Sequence, residues 1–286
     1  MKRAKHSRGP RFTPRHPADT PATPGDDGRG EWIYGRHPVR ELLRAGRRHV
    51  YGVWLPPELR RGEPEELTQM RAEALAREIP VHVAERGMLD RRFAGLNHQG
   101  VALHCGAYPY GDFGQVLRRA ADDPQALVLL LDHLEDPQNT GSLMRSAEAA
   151  GVTAVILPRD RAVGVTPAVV RASAGAVEHL LVVQVTNLTR AIVELRETGP
   201  MQIWGLDMAP DAIAYDQAPL EGPLGLVVGG EGRGLARLTR ERCDGLLRLP
   251  MRGRVESLNA AVAGGILLFE ARRRPSSRTL QRKPQI

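Results

Sequence analysis

The residues of this chain with the clearest chemical potential are polar side chains that follow predicted strands. Leu249-Pro250 ends one such strand, because proline removes a hydrogen-bond donor from a sheet. Ser257 and Asn259 lie at the predicted start of a helix near Leu258, whose first turn Ser257 can cap. The loop between them presents peptide groups, a hydroxyl and an amide to whatever it encloses. The same order also fits a plain strand exit followed by a capped helix.

A second segment carries an asparagine and an arginine after a continuous apolar run. Ala126 to Leu131 predicts a buried strand, and Asn139 can cap the helix that follows it. This helix places Arg145 on its second turn, beside the face that Ser146 and Ala149 form. An arginine there is compatible with catalysis and also with an ordinary solvated position.

The third segment, residues 228 to 235, is rich in glycine and carries Glu231 directly after a predicted strand. Glycine lets a backbone approach a ligand closely. The segment is not a P-loop, because Leu235-Ala236 stand where lysine and serine or threonine are required. It also lacks the spacing and the early position of a dinucleotide fingerprint. A nucleotide held by backbone groups remains compatible with it.

The central part of the chain lacks the residues for several kinds of chemistry. The three lysines lie near the two ends, at Lys2, Lys5 and Lys283. Residues 31 to 270 therefore offer neither a Schiff-base amine nor a P-loop lysine, and arginine must supply the fixed cations. Cys105 and Cys243 are too few for a disulfide framework or a cysteine-ligated metal site, and the nine histidines show no metal-ligand spacing. We expect no bound metal.

The formal net charge of +7 comes from the two ends of the chain. Residues 1 to 30 carry seven Lys or Arg against three Asp, and residues 271 to 286 carry six Lys or Arg and no acid. Basic tails on a near-neutral body suit an RNA partner, because their cations release counterions from phosphates. A solubilising role is the alternative.

The chain is long enough for two domains with separate cores. No apolar run approaches the roughly 20 residues of a membrane span, and no apolar region follows the basic N-terminus as in a secretory signal. We therefore expect a cytoplasmic protein without a membrane partner.

The predicted domain organisation is α/β throughout. A disordered basic tail covers residues 1–30, and a second basic tail covers residues 274–286. Residues 31–106 predict a small α/β domain, and residues 107–124 have the composition of a linker, with room for one or two helical turns. Residues 125–273 alternate strand and helix, which predicts a mostly parallel sheet with ligands at the carboxyl ends of its strands.

Together the three segments resemble the three motifs of the SpoU/TrmH family of RNA ribose 2′-O-methyltransferases. The ordered set is specific where each motif alone is not. The matching residues are Asn139-Thr140-Gly141 with Arg145, Gly229-Gly230-Glu231-Gly232 with Gly234-Leu235, and Pro250-Met251 with Ser257-Leu258-Asn259. Residues 31–106, with Tyr34-Gly35-Arg36-His37-Pro38-Val39 and His98-Gln99-Gly100, are similar to the RNA substrate-binding domain of the RlmB-like branch. That branch methylates a guanosine of 23S ribosomal RNA.

The resemblance implies S-adenosylmethionine as the cofactor and a C-terminal trefoil knot, an exception to unknotted topology. Backbone groups near Gly229, Leu249 and Leu258 would bind the cofactor. Active sites of the family form at a homodimer interface, so Arg145 would reach into the site of a second copy.

The resemblance also implies roles for the site residues. Arg145 would assist removal of the ribose hydroxyl proton, a step that helps because a sugar hydroxyl is a poor nucleophile at neutral pH. Asn139, Glu231, Ser257 and Asn259 would position Arg145 and the ribose through hydrogen bonds. No metal is needed, because the sulfonium is already an activated leaving group.

Other functions fit the same scaffold. The RNA could be 23S ribosomal RNA, a pre-ribosomal particle or a tRNA, and the enzyme could confer resistance to ribosome-directed antibiotics. A non-catalytic RNA-binding or ribosome-assembly factor is a further alternative. Glu256 departs from the family pattern, and it could face the RNA or serve as an acid at the start of a helix.

Overall fold

The computed structural model describes residues 30–58, 62–198, 201–230 and 234–273, which form two α/β units. The N-terminal unit is built from β1 Glu31–Tyr34, α1 Arg36–Ala45, β2 Val50–Leu55, α2 Glu65–Ala76, β3 Val81–Val83, α3 Arg86–Arg92 and β4 Ala102–Cys105. Its sheet has the order β1-β4-β2-β3. Strand β4 runs antiparallel to β1 and β2, while β2 and β3 run parallel.

The C-terminal unit alternates helices with the strands of a larger sheet. Its elements are α4 Phe113–Asp122, β5 Leu127–Asp132, α5 Pro137–Ala149, β6 Ala154–Pro158, α6 Pro167–Ala172, a 3₁₀ helix Ala176–His179, β7 Val182–Val185, α7 Leu188–Thr198, β8 Gln202–Leu206, β9 Ile213–Ala214, β10 Leu224–Gly229, α8 Arg237–Arg242, β11 Gly245–Arg248 and α9 Ala260–Arg273. The strand order is β7-β6-β5-β10-β8-β11-β9, with parallel pairing between neighbours. The predicted mostly parallel sheet is confirmed.

The order of the strands creates a switch point beside β5. From β5 the sheet extends through β6 to β7 on one side, whereas β10 lies on the other side, between β5 and β8. Parallel strands have their carboxyl ends at one edge of a sheet, and ligands of such sheets bind at that edge near the switch point. The three segments of interest follow β5, β10 and β11, so the fold brings them to this edge.

Strand β5 is apolar at nearly every position because both of its faces are buried. Neighbouring side chains of a strand point to opposite faces. Leu129 and Leu131 belong to one hydrophobic cluster, and Val128 and Leu130 belong to a second cluster on the other face. Helices cover both faces, so every position of β5 is buried.

Small residues allow the last helix to pack closely on the first helix of the sheet domain. A Cβ atom at Gly264 of α9 would lie 2.8 Å from Cδ1 of Leu143 on α5. The buried face of α9 is otherwise made of alanine and leucine. The expectation that the small residues of this helix admit a close neighbour agrees with the structure.

The segment predicted as a linker, residues 107–124, holds more structure than expected. It contains the ten-residue helix α4, which is capped by Asp112 and buries Val116 in the second cluster. The backbone N–H of Gly111 also donates to the carbonyl of Val182. The Pro, Gly and Tyr content of the segment is typical of a linker, so the helix was not predicted. Its burial depends on contacts with elements that are distant in sequence.

A buried ion pair joins the two units. The guanidinium of Arg48, from the turn before β2, donates two hydrogen bonds of 2.7 and 3.0 Å to the carboxylate of Glu178 in the 3₁₀ helix. A third bond, of 2.6 Å, reaches Glu31 on β1. Arg48 and Glu178 are 4% and 0% exposed, and one hydrophobic cluster extends through both units. Removing either partner would leave an unpaired buried charge, and the shared hydrophobic cluster packs the two units against each other.

The two cysteines are expected to be unreactive in the folded protein. Burial raises the pKa of both the Cys105 and the Cys243 thiol to about 12. The thiolate is the reactive form, so at pH 8 we expect alkylation slower by about two orders of magnitude or more than that of a free thiol. Mass spectrometry after iodoacetamide treatment measures this, with guanidinium-unfolded protein as the control. Rapid labelling of either residue in native protein would contradict the expectation.

Candidate active site

A cavity of about 660 Å³ lies at the carboxyl edge of the C-terminal sheet, beside the ends of β8, β10 and β11. Five of the predicted site residues line it, namely Gly229, Leu249, Ser257, Leu258 and Asn259. They come from two segments that are separated in sequence by α8 and β11. The structure therefore gathers the three predicted cofactor-binding residues and two predicted catalytic residues around one cavity.

The cavity combines apolar walls with a charged pair that the sequence analysis missed. The guanidinium of Arg240 on α8 donates to a carboxylate oxygen of Asp207 at 2.7 Å, and both residues line the cavity. Leu206 and Val228 supply apolar surface beside them. Asp207 directly follows β8, whose carboxyl end lies at the same edge, and this position is the signal that could have identified it.

The glycines at the end of β10 are required by the chain's own backbone. A Cβ atom at Gly229 would lie 2.4 Å from the carbonyl carbon of Gly234, and one at Gly230 would lie 2.6 Å from the carbonyl oxygen of His133. We expected these glycines to admit a ligand. They admit two neighbouring backbone segments instead, and Gly229 also lines the cavity. The predicted catalytic residue Glu231 lies outside the described residues.

A hydrogen bond between two asparagines links the first and third segments. Nδ2 of Asn259 donates to Oδ1 of Asn139 at 2.7 Å. Oδ1 of Asn259 accepts from the backbone N–H groups of Ala261 and Val262. Asn259 therefore caps α9, and the prediction that Ser257 caps this helix is wrong. The helix begins later than predicted, and Ser257 lies exposed in the preceding loop.

The start of α5 also differs from the prediction. Asp136 caps the helix, because its carboxylate accepts from the backbone N–H of Asn139 at 2.9 Å, and Pro137 occupies the first turn. The prediction that Asn139 is the cap is wrong, since the helix begins before it. The Asn139 side chain is 8% exposed and can therefore meet Asn259.

Arg145 lies on the exposed side of α5, away from the cavity lining. The earlier start of the helix moves it from the predicted second turn to the third. Within the described part of the chain, its guanidinium forms no hydrogen bond or ion pair. The helix that carries it packs against α9. Glu256 is likewise exposed, in the loop before α9, and is not part of the first helical turn.

A second cavity, of about 640 Å³, shares Gly230 and Gly234 with the first and also includes Asn139 in its lining. At its edge, Nδ1 of His133 lies 2.5 Å from a carboxylate oxygen of Asp132. The other oxygen of Asp132 accepts from the backbone N–H of Ala236 at 2.7 Å. Asp132, which the sequence analysis did not select, thus fixes the end of β5 against the loop after β10.

Two features are missing from the ranges that the structure describes. No group of three or more His, Cys, Asp and Glu residues there could hold a metal ion. No helix in the same ranges is long and apolar enough to cross a membrane.

Asn259→Ala is expected to separate the structural role of this residue from its role at the cavity. Loss of the cap should reduce the free energy of unfolding by about 1 kcal/mol. Loss of the bond to Asn139 should also reduce the activity that the resemblance to the SpoU/TrmH family implies, methyl transfer measured with tritiated S-adenosylmethionine.

The matched control is Asn187→Ala, because Oδ1 of Asn187 accepts from the N–H of Arg190 at the start of α7. It should lose similar stability and keep full activity. Equal activity in the two variants would contradict a role of Asn259 in the site.

Comparisons with known proteins agree with this arrangement. The family model for the SpoU rRNA Methylase family matches residues 126–269, and the model for RNA 2′-O ribose methyltransferase substrate binding matches residues 32–111. The 23S rRNA (guanosine-2′-O-)-methyltransferase RlmB of Pseudomonas putida is 41% identical over 245 residues, which cover 84% of this chain and 95% of that protein.

Two further relatives extend the comparison. An uncharacterized tRNA/rRNA methyltransferase of Mycobacterium ulcerans is 38% identical over 283 residues, covering 95% of this chain and 90% of that protein. The crystal structure of an AdoMet-bound rRNA methyltransferase from Sinorhizobium meliloti aligns with a TM-score of 0.68 and 25% identity, covering 87% of this chain and 88% of the other.

The two family models, which match the parallel-sheet unit and the N-terminal unit, identify the chain as an RNA 2′-O-methyltransferase. The chain belongs to the SpoU rRNA methylase family. The resemblance inferred from the three segments is therefore confirmed.

Proposed function

We propose that this enzyme transfers a methyl group from S-adenosylmethionine to the ribose 2′-hydroxyl of a guanosine in 23S ribosomal RNA, in the cytoplasm. The observation that carries the proposal is the cavity that the second and third family motifs line, tied by the Asn139–Asn259 bond to the first motif. The 41% identity to an RlmB protein supports the choice of guanosine and of 23S RNA.

The first cavity fits the cofactor. Its apolar surface, including Leu249 and Leu258, suits an adenine ring, and the charged pair of Asp207 and Arg240 suits polar parts of the same molecule. Gly229 has no side chain, so its backbone groups are accessible to a ligand at the edge of the cavity. When bound, S-adenosylmethionine supplies a methyl group on a sulfonium, which is an activated leaving group. We also place residues 249–259 in the knotted cofactor loop of the family.

The second cavity is suited to the target nucleotide. It meets the first cavity at Gly230 and Gly234, and Asn139 lies in its lining while bonded to Asn259 in the lining of the first. A ribose at this junction would contact both asparagines and lie near Ser257. These groups would orient the 2′-hydroxyl for in-line attack, which is a large part of catalysis when two substrates must meet.

The enzyme is proposed to act as a homodimer. Helix α9 exposes Val262, Ile266 and Phe269, which are 53%, 39% and 53% exposed, at spacings that place them on one helical face. Such an apolar face is typical of an interface. Arg145 lies on the neighbouring helix α5 and is also exposed. A second copy on this face would receive Arg145 in its own active site, where it would assist removal of the hydroxyl proton.

Mapping of ribose methylation in cells with and without the protein tests the target. We expect one guanosine of 23S RNA to lose its methyl group in the deletion strain and to regain it with the wild-type gene. Loss of a methyl group in tRNA would assign the alternative acceptor, in agreement with the tRNA/rRNA description of the Mycobacterium relative. Unchanged maps of both RNAs would refute the proposed function.

A further inference from the structure

The N-terminal sheet carries a continuous series of contacting rings on one face. Neighbouring ring centroids lie between 4.6 and 4.9 Å apart. We call this series the ring row, and its members in order are His49, Tyr51, His104, Trp32, Trp54 and His82. Two of the contacts, between Trp32 and His104 and between Trp54 and His82, are stacked.

The register of the strands builds the ring row. Trp32 of β1 pairs with His104 of β4, and Trp54 of β2 pairs with His82 of β3. Paired residues of neighbouring strands point to the same face. Gly52 pairs with His104, and a Cβ atom at Gly52 would lie only 3.1 Å from the His82 ring. The missing side chain therefore leaves room for the rings.

A β-bulge adds Tyr51 to the row. The pairing of β2 with β4 shifts between Val50 and Gly52, so Tyr51 is the extra residue. A bulge redirects a side chain that regular alternation would place on the other face. Tyr51 thereby contacts His104 and is 41% exposed.

Helix α3 covers only one end of this face. Leu89 and Phe93 pack with Trp54 in a small cluster. His104 and Trp54 are buried, at 1% and 5% exposed, Trp32 and His82 are half-buried, and His49 and Tyr51 are exposed. A row of rings built only to fill a core would bury every member, so the exposed end at His49 and Tyr51 indicates a binding surface.

An arginine lies directly over one ring of the ring row. The guanidinium of Arg92 lies 4.0 Å from the ring centroid of Trp32, and Arg91 precedes it in the last turn of α3. Gly30 lies against the His104 ring, and the 29 residues before it in sequence carry seven Lys or Arg and three Asp. Glu31, the carboxylate on β1, is already bonded to Arg48.

We propose that the accessible rings of the ring row, His49 and Tyr51 with the half-buried His82, are a stacking platform for unpaired bases of the RNA substrate. Every base has a face that can stack on an aromatic ring, and arginine beside the rings binds the phosphates. Bases within a duplex are already stacked on each other, so the platform selects single-stranded segments such as loops and bulges. This inference rests on the proposed function, because it requires RNA as the substrate.

The test measures binding of the full chain to a fluorescein-labelled single-stranded RNA and to a duplex of the same sequence. We expect Tyr51→Ala and His82→Ala each to weaken single-strand binding about 5- to 100-fold. Tyr51→Phe keeps the ring and should bind within about twofold of wild type. The control is Leu75→Ala, on α2 across the sheet, where the side chain is 63% exposed and outside the ring row. It should bind as wild type does.

Tryptophan fluorescence gives an independent readout, because Trp32 and Trp54 lie in the row and Trp204 does not. Single-stranded RNA should quench the emission of wild type, and the quenching should shrink in Tyr51→Ala. Wild-type affinity in both ring variants, or tighter binding of the duplex, would overturn the inference. If the ring variants weaken binding while the methylation maps stay unchanged, the platform stands and the proposed function fails. If the ring variants bind RNA as wild type does while deletion of the gene changes the methylation map, the proposed function stands and the platform fails.

Discussion

Arg145→Ala is expected to abolish methyl transfer and to leave cofactor binding nearly intact. The guanidinium is exposed, forms no hydrogen bond or ion pair within the described ranges and does not line the cavity, so its removal should cost little stability. Loss of a group that assists proton transfer lowers kcat by about 10²- to 10⁴-fold. Tritiated methyl incorporation measures the rate, and calorimetry measures the affinity for S-adenosylmethionine.

The matched control is Arg119→Ala, which removes an exposed arginine from α4. It should keep both activity and cofactor affinity. Retained activity in Arg145→Ala would remove this residue from the catalytic role, whatever the control shows.

Gly229→Ala is expected to weaken cofactor binding strongly. The added Cβ would lie 2.4 Å from the backbone of Gly234, so the backbone at Gly229 or at Gly234 must move. Overpacking of this kind costs about 1–3 kcal/mol, which corresponds to a roughly 5- to 150-fold loss of affinity if it falls on the cavity. Calorimetry with S-adenosylmethionine and a thermal melt of the same sample separate lost binding from lost folding.

Gly87→Ala on α3 is the matched control, because a Cβ atom there would meet only a side-chain nitrogen of Arg91, at 3.5 Å, and the residue is not part of the cavity lining. It should bind the cofactor normally. Equal affinity in the two glycine variants would show that Gly229 does not shape the cofactor site.

The two variants together, assayed at a cofactor concentration that does not saturate Gly229→Ala, test whether Arg145 acts on a second copy. If Arg145 acts on the second copy, a heterodimer of Arg145→Ala with Gly229→Ala has one intact cavity, which the intact arginine of the other chain completes. Random mixing should therefore restore about a quarter of wild-type activity. If Arg145 acts within its own chain, the mixture stays inactive.

Much of the fold could be predicted from the sequence because the larger sheet is buried on both faces. The apolar runs of β5 and β10 mark central strands, and the small residues of α9 mark a close helix contact. The short strands β1 and β9 were not predicted. Their pairing partners are β4 and β11, distant in sequence, and such pairing leaves little trace in a local pattern.

The site was predictable in its composition and less so in its local geometry. Gly229, Leu258 and Asn259 do meet at one cavity. The identities of the helix caps were wrong, because Asp136 and Asn259 each compete with a nearby polar residue that sequence alone ranks as highly. Asp207 and Arg240 were missed, since their pairing depends on the neighbouring positions of β8 and α8 in space.

The Arg48–Glu178 pair has a consequence for how the enzyme would choose its RNA. The hydrogen bonds of this pair and the shared hydrophobic cluster fix the small sheet against the large one. The distance between the ring row and the cavity is therefore constant. An RNA with the correct nucleotide would still bind poorly if the distance between that nucleotide and its unpaired bases did not match the distance between the cavity and the ring row. Selection would then depend on the folded shape of the substrate as much as on the identity of the methylated base.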